Sequence, residues 1–189
     1  KQHPDNMYSA YISGIVKEES YEKGKELYDL LTPKIQASFY GRLLKQQTEA
    51  LAVSALGVPC PDFTATDESG NKVSMASQKG GIMVLDFWAS WCGPCRKEIP
   101  NIKKVYAEFK DKGLEVVGVS IDNSDKAWKK ALEEEKLDYL QLGDPKNITS
   151  KLYNFNGIPF IILISPEGII LDKGLRGETI REKIAEYLK

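Results

Sequence analysis

The chain has 189 residues, 42% of them hydrophobic: enough for one domain of common size with a real core, plus a short appendage. Its 26 basic and 27 acidic residues leave a formal charge of -1 without a long block of one sign, which argues against nucleic acid or an acidic membrane face as a partner. The longest apolar runs, such as Ile158 to Ile164, are too short to span a bilayer, and three cysteines are too few for a disulfide framework. The single histidine, His3, speaks against an imidazole base or a His-rich metal cage. No signal peptide is visible, and the start at Lys1 rather than Met leads us to expect a processed or truncated product.

Residues 1–55 lack strand signals and are rich in Lys, Glu, Tyr and Leu, so a helical extension is expected there. One helix is predicted from about Tyr21 to Leu31. A second opens with Thr32 as N-cap and Pro33 at the first helical position and runs through Leu43, Leu44 and Leu51, with Gly41 a point where it can split. Prolines in Gly57-Val58-Pro59-Cys60-Pro61 impose extended backbone and mark a boundary, with a second domain over 56–189.

Beyond the boundary, Phe63-Thr64-Ala65 and Lys72-Val73-Ser74 flank the turn residues Asp67 to Asn71, predicting a β-hairpin. Ile82 to Trp88 is apolar except for Asp86, the pattern of a strand buried on both faces. A helix is predicted from Cys92 to about Asp111, stopped by Gly113, then a buried strand over Leu114 to Ser120, so strand, helix and strand form a parallel βαβ unit. Ser124 caps a helix through Trp128 and Leu132, and Tyr139 to Leu142 adds a short strand. Asn147 to Tyr153 reads as a brief helix. Pro159 to Ile164 and Ile169 to Lys173 read as an antiparallel hairpin around Ser165 to Gly168, and Glu178 to Leu188 as a closing amphipathic helix.

The chemistry concentrates in Trp91-Cys92-Gly93-Pro94-Cys95, where the buried strand turns into a helix. A thiolate is the nucleophile in disulfide exchange, and a cysteine at a helix N-terminus lies among unpaired N–H groups and the positive dipole end, which lower its pKa. Cys92 is thus the expected attacking thiol. Cys95, one turn on, is placed to resolve the mixed disulfide, while Gly93 and Pro94 shape the turn without obstructing it.

Phe87-Trp88-Ala89-Ser90-Trp91-Cys92-Gly93-Pro94-Cys95 resembles the active-site segment of the thioredoxin superfamily. The resemblance implies that Asp86 is a buried proton relay for Cys95, that Pro100 kinks the helix, and that Gly157-Ile158-Pro159 is a cis-proline loop whose backbone pairs with substrate opposite the cysteines. The chain is most similar to the TlpA-like and ResA-like branch, related in outline to the AhpC/TSA peroxiredoxins. Pro61-Asp62-Phe63 with its hairpin, Cys95-Arg96-Lys97-Glu98 and the extra segment from about Ser124 to Leu142 carry that likeness. It covers residue 56 to the end. It implies an α/β, thioredoxin-like sandwich: a central mixed β-sheet flanked by helices, with an N-terminal hairpin, a helix-strand insert and the helical extension. Residues 1–55 resemble the tail of a larger N-terminal region, and the branch implies an extracytoplasmic, bacterial setting.

The expected function is thiol-disulfide exchange: a disulfide-containing protein substrate, an upstream thiol donor, no organic cofactor and no metal. Trp91, Gly93, Pro94, Ile158 and Pro159 are expected to meet the substrate, and Glu98 is either a functional acid or a solvated partner of the helix dipole. Cys60 is expected to pack as a small core residue, and Lys126, Lys129, Lys130 and Glu133 to Glu135 to form a solvated helix face. Two departures from the family pattern stand out. Gly118 replaces a common Lys, which is expected to raise the pKa of Asp86, and Phe160 follows the proline where Thr is common, altering the floor of the substrate groove. Three rival readings find less support in these residues. A structural zinc site has only Cys60 and His3 as further ligands; a peroxiredoxin needs Pro and Thr or Ser where Leu85 and Ala89 stand; a binding module would leave the dithiol vestigial.

Overall fold

The computed structural model describes residues 21–78 and 80–188; His3 and the start of the chain lie outside them. The chain divides between Ala55 and Leu56 into two compact units. In the first, α1 (Tyr21–Asp29), α2 (Pro33–Gln36) and α3 (Phe39–Leu51) are followed by a 3-10 turn over Ala52–Ser54. Leu31, Ile35 and Leu44 form a small buried cluster with Tyr28 and Tyr40 packed against it.

The break in this unit falls at Ala37 and Ser38, not at Gly41. Ser38 caps α3, its Oγ accepting the Gly41 N–H at 3.1 Å. Gly41 serves a different purpose: a Cβ there would collide with the Ile35 carbonyl oxygen, so glycine lets α2 and α3 approach. Thr32 stands at the start of α2 with extended backbone, but its hydroxyl makes no capping bond; only its carbonyl accepts, from Ile35 and Gln36.

The second unit is built on seven strands among the described residues: β1 (Thr64–Asp67), β2 (Lys72–Ser74), β3 (Ile82–Trp88), β4 (Leu114–Ser120), β5 (Leu140–Gly143), β6 (Phe160–Ile164) and β7 (Ile170–Lys173). They lie in the order β2-β1-β5-β4-β3-β6-β7. β3, β4 and β5 run parallel, and the other pairings are antiparallel, giving the mixed thioredoxin-like sheet. Among the described residues four α-helices accompany it: α4 (Gly93–Phe109), α5 (Asp125–Glu135), α6 (Ile148–Leu152) and α7 (Glu178–Tyr187).

β3 is buried at every position, as its apolar run requires. Alternation sends Met83, Leu85 and Phe87 to one face, where they meet Val117, Val119, Leu142, Tyr153 and Phe155. Ile82 and Val84 pack on the other face against Ile102, Val105 and Phe109 of α4 and Ile180 and Ile184 of α7. Each such fully buried side chain contributes about 1.5–3 kcal/mol relative to exposure. α4 buries Cys95, Ile99, Ile102, Val105 and Phe109, one continuous helical face, and passes through Lys110–Lys112 in 3-10 geometry to Gly113, whose φ of 97° ends it. The redox motif is thereby carried at the end of the central strand, on a helix held along its length.

Candidate active site

Cys92 is the N-cap of α4, and its Sγ accepts the Cys95 N–H at 3.1 Å. The two cysteines are joined by a disulfide. Both residues are buried, Cys92 at 5% and Cys95 at 2% exposure, whereas Trp91 beside them is 65% exposed. Gly93 and Pro94 are exposed, and a Cβ at Gly93 would meet nothing within 4 Å, so the approach over the helix start is open.

The segment leading to Cys92 is pinned from below. Asp122, buried just after β4, accepts the Ser90 N–H at 2.7 Å, the Ser90 hydroxyl at 2.6 Å and the Ser120 hydroxyl at 2.7 Å. The Cys92 N–H closes the turn onto Ala89 O at 3.0 Å. Opposite, Ile158 and Pro159 are linked by a cis peptide bond, as the resemblance implies. Ile158 packs against the cluster that contains Cys92, Cys95, Trp88 and Ile99, so the structure brings this loop and the cysteines together.

Asp86 lies in the middle of β3, 3% exposed, with no hydrogen-bond partner for Oδ1 among the described residues. Burial pushes its carboxyl up to about 7; Arg176 pulls the other way and Glu98 adds to the rise. The absence of a lysine at position 118 is therefore not the main cause, and a cation does stand nearby, from the loop after β7. Glu98 is neither a free acid nor a plainly solvated one: its Oε1 accepts from Asn101 Nδ2 at 2.7 Å and from the Gly177 N–H at 3.1 Å, and Asn101 also reaches Gly177 O at 2.9 Å. These bonds tie the second turn of α4 to the loop that carries Arg176.

Other side chains gain partners that the sequence does not show. Phe160, partly buried, stacks on Phe155 with centroids 5.1 Å apart and lies beside Phe87, so one side of its ring joins the aromatic core. Trp88, 1% exposed, is a core residue whose Nε1 donates to Gln141 Oε1 at 3.1 Å. Cys60 is half-buried with its Sγ 3.1 Å from the Tyr153 hydroxyl, a polar contact that simple packing would not require. Glu134 and Glu135 do not merely face solvent: Arg96 grips them at 2.8 and 2.5 Å, clamping α4 to the end of α5. Asp122, Asn101, Gln141 and Arg176 escaped the sequence reading. A polar residue inside or just after an apolar strand was the available signal for Gln141 and Asp122; Asn101 and Arg176 carried none.

A mixed sheet with a Cys-x-x-Cys disulfide at the start of its central helix and a cis-proline loop packed beside it defines a thioredoxin-fold protein of dithiol-disulfide exchange. Residues 56–173 match the AhpC/TSA family, and the chain belongs to it. It is 32% identical over 134 residues to the thiol-disulfide oxidoreductase ResA of Bacillus thuringiensis subsp. konkukian, covering 71% of this chain and 77% of that protein. The structure of the thioredoxin domain of a thiol-disulfide oxidoreductase from Bacteroides vulgatus superposes with a TM-score of 0.68 at 39% identity, over 71% of this chain and 99% of that one. A thiol:disulfide interchange protein from Bacteroides sp. gives 0.67 at 38% identity, over 72% and 91%. Within the family the chain is thus a ResA/TlpA-like thiol-disulfide oxidoreductase. Among the described residues, no helix is long and apolar enough to cross a membrane.

Proposed function

We propose that Cys92 is the attacking thiol and Cys95 the resolving one, in the reduction of disulfides in a partner protein. The observation that carries the assignment is the placement of the pair: Cys92 caps α4 under open space, while Cys95 is the more buried member and lies in the first turn. In the reduced protein the Cys92 thiolate attacks a substrate S–S bond, forming a mixed disulfide and releasing one substrate thiolate. Cys95 gives its proton to the Asp86 carboxylate and attacks Cys92 Sγ; the mixed disulfide breaks, the second substrate sulfur leaves as a thiolate, the Cys92–Cys95 disulfide forms, and Asp86 returns its proton to the departing thiolate or to water. An upstream dithiol donor restores the pair by the reverse exchange, and no organic cofactor or metal takes part.

In this reading exposed Trp91 and the Ile158–Pro159 loop flank the incoming chain, Gly93 and Pro94 leave room for it, and Glu98 fixes the loop that brings Arg176 toward Asp86. The likeness to the ResA/TlpA-like branch supports work outside the cytoplasm of a bacterium, and the AhpC/TSA match beginning at residue 56 supports treating the helices before it as a separate extension. The test is substitution of each cysteine. Cys92→Ser abolishes turnover, and Cys95→Ser accumulates a mixed disulfide on Cys92, read by mass spectrometry under non-reducing conditions; a Cys95→Ser protein that forms no adduct with a disulfide substrate overturns the assignment.

A further inference from the structure

We infer that Gln141 is a positioning residue for the Asp86 proton, its carboxamide anchored by Trp88 so that an N–H donor lies over Gly118, on the sheet face where Asp86 is buried. Asp86, Gly118 and Gln141 occupy one row across β3, β4 and β5, so their side-chain positions share a face. Gly118 contributes no side chain to that row, and the Gln141 carboxamide fills the space: a Cβ at position 118 would stand 2.6 Å from Nε2 and closer still to Oε1. The indole of Trp88 only donates, so the end of the carboxamide 3.1 Å from it is the oxygen, and the other end is the NH2 group.

That NH2 group is buried on a residue 5% exposed and has no hydrogen-bond partner among the described residues; Asp86 Oδ1, at the far side of Gly118, is in the same condition. The Tyr139 hydroxyl lies close enough to the Gln141 carboxamide to interact with it, but one hydroxyl engages one N–H at most and the NH2 group carries two. Two orphaned groups of complementary chemistry, separated by a glycine, favour the ionised carboxyl over the neutral one, because an N–H dipole stabilises a negative charge. The other groups that act on Asp86 are Glu98 of α4, Arg176 after β7 and Tyr139 before β5; Cys95 packs with Trp88, the next residue of β3 on the same face, and the neighbour of Asp86 on β6 is the apolar Ile161.

The inference rests on Asp86 as proton acceptor for Cys95, and the test separates the two. The carboxyl of Asp86 is titrated by carbon-13 NMR in the reduced full chain, in wild type, Gln141→Met and Gln141→Glu. Met keeps the volume over Gly118 but offers no donor; Glu keeps an acceptor for Trp88 and replaces the N–H donor with a second carboxyl. The Asp86 midpoint is expected to rise by about one pH unit in both, a tenfold fall in the ionised fraction below it, and the pH profile of turnover to move with it. A midpoint unchanged in folded Gln141→Met overturns the role of Gln141, because in Gln141→Glu the second carboxyl raises the midpoint by itself. Wild-type turnover in Asp86→Asn overturns the acceptor reading instead, whatever the titration gives.

Discussion

A carboxyl taken out of water in the middle of β3 loses hydration that its neighbours only partly replace, which is why the Asp86 value moves from 3.8 to about 7 on folding. Between those two values the folded chain holds a proton that the unfolded chain has released. The Asp86 contribution to stability is therefore greatest below about pH 4 and falls as pH rises toward 7, by up to ~1.4 kcal/mol per unit, then levels. Asp67 and Glu108, held below their ordinary values by hydrogen bonds, act only at more acid pH. Urea titrations of the oxidised protein are expected to show about 2–3 kcal/mol lost between pH 5 and 8 in wild type, a slope missing in Asp86→Asn. Parallel stability curves for the two proteins would remove Asp86 as the source.

At the scale of elements, the redox end of α4 is held by three separate segments: Asp122 grips Ser90 from the end of β4, Gly177 grips Glu98 from the loop after β7, and the end of α5 grips Arg96. Asp122→Ala strips the acceptor from three short hydrogen bonds in a buried place, and we expect a loss of about 2–3 kcal/mol in unfolding free energy together with slower disulfide exchange. An unchanged denaturation midpoint would show that Ser90 needs no such anchor. The elements themselves were largely legible: the run Ile82 to Trp88 and the Cys-Gly-Pro-Cys segment are contiguous, and contiguous signals need no knowledge of the fold. Gly41 was misread because propensity treats glycine as a helix breaker, while here it permits a close approach decided by the neighbouring helix. The surroundings of Asp86 were invisible for a related reason. Gln141 shares its row, and Arg176 comes near it, only through strand register and a returning loop, and neither is encoded at short range.

Seen whole, the sheet joins strands remote in the chain: β1 pairs with β5, β3 lies between β4 and β6, and Pro59 bridges to Ile169. Such non-local pairing closes late in folding, because loop closure precedes its reward. All three cysteines thus emerge during synthesis before their surroundings exist, since Cys92 and Cys95 await β4 and β6, and Cys60 awaits Tyr153. The arrangement that separates Cys60 from the redox pair is a property of the finished fold, and the nascent chain is open to crosslinking by oxidants. Oxidative refolding from the reduced, unfolded state is expected to yield Cys60-linked species early, and Cys60→Ala to raise the share of chains reaching the Cys92–Cys95 pairing directly. Peptide mapping of quenched samples measures both, and equal yields in the two proteins would show that the strands assemble faster than the thiols oxidise. For a protein whose trade is exchanging sulfur bonds, the order in which its own chain is completed then becomes a hazard of manufacture.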